Sequence, residues 1–475
     1  MIVDNRPHKR DELKRTKFDN NQWDLLRDKL SHRSVRKLCE DEKNSSLLIF
    51  PHCLNDNRKE FCEAHICEIV GDTLTTGNLM GYVGVEDDKT SVELTIRSRF
   101  QKEGEEDYFL HYLLDKVFHL NILNLPTSGG NNEVFEFILF HLFTHYLKKA
   151  VKQGLFKQYR KCEYNDANVR GVIDIPRHIR YNMPFNGKVA YRTSEYKYDN
   201  PVTQLIRHTI EYIRSNSLAG NVLKCDKNTS DAVRTIYDIT ASYNANDRQR
   251  VISQNLKPVK HPFYTQYTFL QRLCLHILRH KKMSYSHSQN KVYGILFDGA
   301  WLWEEYLATL LVDKGFIHAV KGKEGGFALF KRKFANRRYP DFYNLSNSIK
   351  IVLDAKYKRL NAGIQRNDLY QMISYIHTLN DGTNSDSRGA DYGLFVYPYS
   401  EGCGEDKNKS FSIKELFGYG GHLGVVPVVI PVANNYQSFC SAMESSEETM
   451  CKRCCKSELV KFKTKDSEED IELQD

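Results

Sequence analysis

The stretch "RRYPDFYNLSNSIKIVLDAKYKRL", residues 337–360, decides how the C-terminal part of the chain is interpreted. A strongly apolar run, Ile349–Leu353, is typical of a buried strand and leads directly into Asp354 and Lys356. Side chains two residues apart on a strand share a face, so this acid and this lysine point the same way. A second carboxylate, Asp341, lies upstream behind a proline. The pattern predicts two acids and a lysine at one place.

The polar segment "NLSNS", residues 344–348, is predicted to form a turn between two strands. A turn centred near Ser346 or Asn347 would bring Asp341 close to Asp354. The prediction depends on the register of the pairing, because a shift of one residue would move one carboxylate to the opposite face.

Two carboxylates beside a lysine indicate a magnesium site that acts on phosphate. Mg²⁺ prefers oxygen ligands and is bound through one or two protein carboxylates. The cation stabilises the charge on a phosphate under attack and helps to form hydroxide from water. Lys356 could orient or deprotonate that water, or stabilise the phosphate charge.

An Asp-x-Lys triplet alone is weak evidence. Two others occur, at residues 41–43 and 87–89, and both have polar, turn-like surroundings. A competing arrangement would combine Asp174 with Glu195 and Lys197, which follow an alternating strand. The triplet at the end of the apolar run is favoured by its buried strand, by the upstream proline and acid, and by two neighbouring helices.

These two predicted helices add candidate site residues. "NDLYQMISYIHTL" places Gln371 and Tyr375 four residues apart on one face, directly after the strand. "GAWLWEEYLATLL" precedes the strand and carries Glu304 and Glu305. A single glutamate on such a helix is usually solvated, but here either one could provide a third carboxylate, and Glu304 is the preferred candidate.

The composition is that of a folded, multidomain protein. The chain has 475 residues, of which 41% are hydrophobic and 12% aromatic. The net charge of +8 permits nucleic-acid binding without requiring it, because lysine and arginine are spread along the chain. No segment has the length and purity of a membrane span, and the charged start lacks the apolar core of a signal peptide. We expect a cytoplasmic protein without membrane contact.

The 12 cysteines are expected to be reduced thiols. One group, Cys62 and Cys67, flanks His65, and a second group lies at residues 451–455. Neither has a second pair of ligands nearby, so no structural zinc is expected.

The overall pattern predicts a multidomain α+β protein with a β-rich N-terminal domain, a mainly helical middle region and a C-terminal α/β domain with a mixed central sheet. The predicted divisions are a charged segment 1–45, a β-rich domain 46–105, a helical region 106–285, an α/β domain 286–440 and a mobile, cysteine-bearing tail 441–475.

The combined motifs resemble the McrC family, the nuclease subunits of McrBC-type modification-dependent restriction systems within the PD-(D/E)xK superfamily. The resemblance rests on "LWEEYLATLL", "YPDFY", "VLDAKYK" and "DLYQMISY", with "YNDANVRGVIDIPRHI" upstream, and extends over about residues 70–430. It implies a PD-(D/E)xK nuclease core in the C-terminal domain and Mg²⁺-dependent DNA cleavage, with Mn²⁺ as a possible substitute. It assigns Asp341, Asp354 and Glu304 to metal binding, Lys356 to the attacking water, and Gln371 and Tyr375 to positioning DNA or the metal shell.

The resemblance also implies an AAA+ GTPase ring, McrB, as a partner that recognises modified DNA and translocates. The N-terminal part of the McrC-like subunit would dock into this ring, so we predict segment 46–105 as the docking domain. Dimerisation through the nuclease domain is a further expectation. The sequence has no Gly-x-x-x-x-Gly-Lys-Ser/Thr loop, which agrees with a partner that supplies nucleotide hydrolysis.

Two other functions fit the same residues. A stand-alone repair nuclease of the same superfamily would cut DNA without a motor. A catalytically idle scaffold would stimulate a ring ATPase or GTPase, but such a protein would have no chemical need for Asp341, Asp354 and Lys356 together.

Overall fold

The computed structural model divides the chain into two compact units. The first comprises Met1–Leu123 and Asn290–Asp475, and the second is Asn124–Gln289. The described residues are 2–12, 18–41, 44, 47–51, 62–87, 89–100, 107–118, 131–216, 221–259, 261–283, 291–319, 326–330, 333–345, 349–359, 363–379, 389–400, 412–416, 421–454 and 459. The predicted mixed α+β, multidomain class is confirmed at this level.

The N-terminal part of the first unit is rich in strands, as predicted. Its strands are β1 (Ile2–Val3), β2 (Pro7–Lys9), β3 (Leu47–Phe50), β4 (Cys67–Val70), β5 (Thr73–Thr76), β6 (Leu79–Glu86) and β7 (Ser91–Arg97). Its helices are α1 (Asn20–Leu30), α2 (Val35–Glu40) and α3 (Tyr108–Phe118). Helix α1 begins at a capping box. The Asp19 carboxylate accepts a hydrogen bond from the backbone N–H of Gln22, and the Gln22 side-chain oxygen accepts one from the backbone N–H of Asp19.

The main N-terminal sheet is completed by a strand from much later in the chain. Strand β11 (Lys291–Asp298) lies between β6 and β3, in the order β1-β7-β6-β11-β3. Gly81 and Gly294 have φ angles of 129° and 141°, and a Cβ added to either would lie within 2.3 Å of a carbonyl oxygen on the neighbouring strand. Only glycine allows this close approach.

This pairing changes the predicted domain divisions. The segments 1–45, 46–105 and 286–440 are not separate bodies, since they share one unit. The physical reason is twofold: β11 is hydrogen-bonded to β6 and β3, and helix α3 packs on the later helix Gly299–Leu311, where Tyr112 contacts Tyr306. The second unit therefore begins near residue 124 and not at residue 106.

The C-terminal part of the first unit contains a six-stranded mixed sheet. Its strands are β12 (Ile317–His318), β15 (Phe342–Asn344), β16 (Ile351–Ala355), β17 (Tyr392–Ser400), β18 (Ser412–Glu415) and β19 (His422–Ile430), in the order β12-β15-β16-β17-β19-β18. The central strands β16, β17 and β19 are parallel and almost wholly buried, which explains their continuous apolar sequences. A separate hairpin pairs β13 (Phe327–Phe330) with β14 (Lys333–Arg338).

The predicted tail contains a packed helix. A helix from Tyr436 to Cys454 crosses the predicted boundary at residue 441 and buries Phe439, Met443, Met450 and Cys454. The prediction of mobility is therefore wrong for residues 441–454, because a stripe of apolar side chains holds this segment against the unit. Of the remaining tail, only the buried Leu459 is described, and the rest lies outside the described residues.

The second unit combines helices with one small sheet. The helices are α4 (Asn131–Gln153), α5 (Ile175–Asn182), α6 (Pro201–Ser215), α7 (Lys227–Ile239), α8 (Arg248–Gln254) and α9 (Thr265–Met283). The sheet has the order β8 (Gln158–Asp166), β10 (Val189–Lys197) and β9 (Val172–Ile173). The predicted mainly helical character is seen here, and the predicted interruption is this sheet.

Charge is divided unequally between the two units. Residues 124–289 contain 25 lysines and arginines against 12 acidic residues, a net charge of +13. The remainder has 43 against 48, a net charge of −5. The basic residues are therefore concentrated in the second unit, contrary to the even spread inferred from the sequence. No helix within the described ranges is both long and apolar enough to span a membrane.

Candidate active site

Asp341 and Asp354 lie side by side on two antiparallel strands. Phe342 pairs with Leu353, so the residues flanking that pair, Asp341 and Asp354, face each other across the strands. The backbone N–H of Ala355 donates a hydrogen bond of 2.7 Å to Asp341 Oδ2. The intervening residues 346–348, on which the predicted turn centre falls, are outside the described residues.

The carboxyl groups of Asp341 and Asp354 are buried, and their negative charges repel each other. Burial raises the pKa of Asp341 well above its ordinary value, and the negative charges of Asp354 and Glu304 raise it further. A hydrogen bond with Asp354 also favours the protonated form of Asp341. Two like charges in a buried place create a site that a cation would stabilise.

Lys356 lies beside Asp354 and beside a third aspartate, Asp368. Its Nζ is 2.8 Å from Asp354 Oδ2, 3.4 Å from Asp368 Oδ1 and 3.1 Å from Gln371 Oε1. Burial by itself would lower the pKa of Lys356, but the carboxylates of Asp354 and Asp368 raise it above its ordinary value. The amine is therefore held as an ammonium ion.

Gln371 and Tyr375 continue the chain of contacts from Lys356. The Gln371 amide donates to the Tyr375 hydroxyl at 2.8 Å, and that hydroxyl donates to the backbone carbonyl of Tyr339 at 3.2 Å. Burial raises the pKa of Tyr375 to about 12, so its hydroxyl remains protonated. These contacts join helix α11 (Arg366–Thr378) to the segment just before Asp341.

Glu304 lies on helix α10 (Gly299–Leu311), and its Oε1 is 2.8 Å from His318 Nε2. Its negative charge also contributes to the raised pKa of Asp341. Glu304 therefore has an electrostatic connection to Asp341.

Asp368 is a site residue that sequence reasoning missed. It is buried at the first turn of α11, and its Oδ2 is 3.1 Å from Lys358 Nζ. The available signal was spacing, because Asp368, Gln371 and Tyr375 lie three and four residues apart on one helical face.

The arrangement fits a hard cation through two carboxylates. Asp354 Oδ2 is buried, and apart from the Lys356 ammonium 2.8 Å away it has no hydrogen-bond partner in the described structure. Oxygen atoms of this kind are ligands for Mg²⁺. No group of three or more His, Cys, Asp or Glu side chains in the described ranges could hold a metal ion as placed. The assignment of Glu304 as a third metal ligand stays a prediction.

The competing arrangement from the sequence is a set of separate ion pairs. Asp174 accepts at the start of α5 and lies 2.6 Å from Arg192, whereas Glu195 pairs with Lys197 at 2.8 Å. In the sheet, Glu195 faces Arg160 and not Asp174. These acids already have cationic partners.

The chain matches a known protein family and resembles two solved structures. A family model described as "McrBC 5-methylcytosine restriction system component" matches residues 74–398. A chain from the refined half-complex of the tetradecameric assembly of Thermococcus gammatolerans McrB AAA+ hexamers with bound McrC is 15% identical. That match covers 94% of this chain and 99% of the other, with a TM-score of 0.41.

A second solved structure, the McrBC complex from Thermococcus gammatolerans, is 14% identical. This match covers 66% of this chain and 86% of the other, with a TM-score of 0.29. The comparison with curated proteins found no match. Because the family model matches more than half of its residues, the chain belongs to the McrBC 5-methylcytosine restriction system component family.

Proposed function

We propose that the chain is a Mg²⁺-dependent DNA endonuclease subunit of an McrBC-type restriction system, with a PD-(D/E)xK active site. The observation that carries this proposal is the placement of Asp341 beside Asp354, with Lys356 ion-paired to Asp354. Family membership supports DNA as the substrate, because the family is described as part of a 5-methylcytosine restriction system.

Each side chain of this site has a proposed role. Asp341 and Asp354 would hold Mg²⁺, or Mn²⁺ in its place, and Glu304 would add negative charge nearby. When bound, the cation would supply positive charge at the phosphate and lower the pKa of water. Lys356 would orient the attacking water and stabilise charge as a phosphorus–oxygen bond to water forms and the bond to the leaving strand breaks.

Gln371 and Tyr375 would act by position. Their contacts fix the end of Lys356 relative to the segment before Asp341, and their proposed role is to align DNA with the site. This role needs no proton transfer, which agrees with the raised pKa of Tyr375.

We further propose an McrB-like AAA+ GTPase ring as the partner that supplies DNA recognition and movement. The absence of a phosphate-binding Gly-x-x-x-x-Gly-Lys-Ser/Thr loop from this sequence supports a separate motor. A dimer formed through the nuclease domain remains a prediction.

An exposed apolar surface in the second unit supports a protein partner. Between residues 172 and 185, seven large hydrophobic side chains are each at least half exposed, and exposed apolar area is typical of interaction sites. These side chains, which we call the 172–185 surface, are Val172, Ile173, Ile175, Ile179, Tyr181, Met183 and Phe185. This surface is a second docking candidate beside segment 46–105, where Val70 is 70% exposed.

The decisive experiment is a cleavage assay with Mg²⁺ on methylated and unmethylated DNA, with and without a partner bearing a Walker motif encoded beside this gene. We expect cleavage of methylated DNA only when the partner and GTP are present. Cleavage without any partner would favour the stand-alone nuclease. Stimulated GTP hydrolysis without cleavage, under all metal conditions, would favour the scaffold.

A further inference from the structure

Lys356 is shared between two buried carboxylates on different elements. Asp354 ends strand β16, and Asp368 lies in the first turn of helix α11. The Lys356 ammonium is 2.8 Å from the first and 3.4 Å from the second, with the Gln371 amide oxygen at 3.1 Å. The lysine therefore has one ionic partner inside the aspartate pair and another outside it.

The contact with Asp354 conflicts with metal binding. An ammonium ion beside Asp354 Oδ2 blocks the position where a divalent cation would bind and neutralises the negative charge that would attract it. Two cations on one carboxylate also repel each other. Metal binding therefore favours movement of Lys356 away from Asp354. Such movement is costly for a buried ammonium ion unless another acceptor is already in place.

Asp368 and Gln371 provide that acceptor. We propose that Asp368 is a positioning residue that receives the Lys356 ammonium when Mg²⁺ binds to Asp341 and Asp354. In this handover the lysine moves from Asp354 to Asp368 and stays in the site. This inference rests on the proposed nuclease function. It extends that function by adding a residue that governs the competition between lysine and metal.

A purely structural role for Asp368 predicts something different. Asp368 also pairs with Lys358, and a carboxylate in the first turn stabilises a helix through its dipole. Loss of such a role would lower stability, and any effect on Mg²⁺ affinity would be the same whether or not Lys356 is present. A handover of the lysine predicts instead that the effect of Asp368 on Mg²⁺ affinity depends on the presence of Lys356.

The test measures Mg²⁺ binding by calorimetry on the full chain without DNA, and it compares wild type, Asp368→Asn, Lys356→Met and the double variant. We expect Asp368→Asn to weaken Mg²⁺ binding about tenfold, because the ammonium then remains on Asp354. We expect Lys356→Met to bind Mg²⁺ severalfold more tightly than wild type, because no ammonium ion then competes for Asp354. In the Lys356→Met background, Asp368→Asn should have no further effect.

Equal weakening in both backgrounds, or no weakening in either, would overturn the inference. Lys358→Met is the matched control, since it removes the other lysine of Asp368 and should leave Mg²⁺ affinity unchanged. If Asp368→Asn does not fold, Lys356→Met carries the test alone: it should raise Mg²⁺ affinity severalfold, and an unchanged affinity overturns the proposal.

Asp354→Asn separates this inference from the proposed function. If Asp354→Asn abolishes Mg²⁺ binding and Asp368→Asn leaves it unchanged, only the role of Asp368 fails. If Asp354→Asn binds Mg²⁺ like wild type, the proposed metal site itself is wrong, and the handover fails with it.

Discussion

Asp341 accepts a hydrogen bond of 2.7 Å from the backbone N–H of Ala355, the residue between Asp354 and Lys356. One backbone contact therefore fixes the first acid relative to the second acid and the lysine. A shift of one residue in the pairing would break this contact and reverse the faces. The local geometry of the candidate site is thus a property of the strand register.

Asp354→Asn should abolish cleavage without lowering the melting temperature. The substitution removes the ion pair with Lys356, but it also removes a negative charge that opposes ionisation of Asp341, so its two effects on stability oppose each other. Cleavage assays and thermal unfolding of the same preparation check both parts. Wild-type cleavage by a folded Asp354→Asn protein would place the active site elsewhere.

Lys356→Ala should lower single-turnover cleavage on the order of a hundredfold, as expected for a positioned acid, base or charge stabiliser. DNA affinity should change little, because one cation among many phosphate contacts changes the salt dependence by about one unit at most. A lysine that served only as a surface ion pair would contribute about 0–1 kcal/mol, and its removal would leave the rate nearly unchanged.

Glu304→Gln and Glu305→Gln form a matched pair on one helix. The charge of Glu304 acts on Asp341, so its loss should reduce cleavage by about tenfold or more, within the range for an electrostatic contributor. Glu305→Gln should retain wild-type cleavage. The opposite ranking in a cleavage assay at saturating Mg²⁺ would assign the third acid to Glu305.

Ile179→Asp should reduce stimulation of the partner's GTP hydrolysis, because it places a charge in the 172–185 surface, where Ile179 is 57% exposed. Val70→Asp is the control: Val70 is 70% exposed, but it lies in the segment first predicted for docking. Titration of the partner with each variant distinguishes the two surfaces. Loss of stimulation only in Val70→Asp would restore segment 46–105 as the docking site.

The stability of the protein should fall with acid because of His208. Burial in helix α6 lowers the pKa of His208 to about 4, whereas an unfolded histidine titrates near 6.5. The unfolded state then binds more protons between these values, so the free energy of unfolding falls as the pH decreases from about 6.5 to 4. Denaturant unfolding at several pH values should show a shallower fall for His208→Leu. An unchanged slope would mean that His208 does not titrate differently in the two states.

The sequence predicted the hairpin of the site because its signals are local. The apolar run, the polar turn and the acids lie within 24 residues, and strand periodicity assigns their faces. The pairing of Leu47–Phe50 with residues 294–297 has no such signal, since no local pattern identifies a partner so far along the chain. Asp368 was missed because an acid in a first turn is already explained by the helix dipole.

The C-terminal helix shows a different limit. Phe439, Met443, Met450 and Cys454 follow a helical spacing, but many polar residues between them give the segment the composition of a mobile tail. Glu447 occupies the same stripe, where its carboxylate accepts hydrogen bonds from the hydroxyls of Tyr112 and Tyr306. Glu447 interrupts the apolar spacing of the helix. Its burial could not be predicted because the tyrosines that bind its carboxylate are distant in sequence.

The late arrival of β11 has a consequence for biosynthesis. Strands β3 and β6 emerge from the ribosome about 240 and about 200 residues before β11, a delay of about 10–50 s at ordinary elongation rates of roughly 5–20 residues per second. During that interval all four residues of Leu47–Phe50 lack their neighbouring strand, and exposed strand edges of this kind promote aggregation. Nascent chains should therefore depend on chaperones until residue 298 has been translated, and slower translation should lower the yield of native protein.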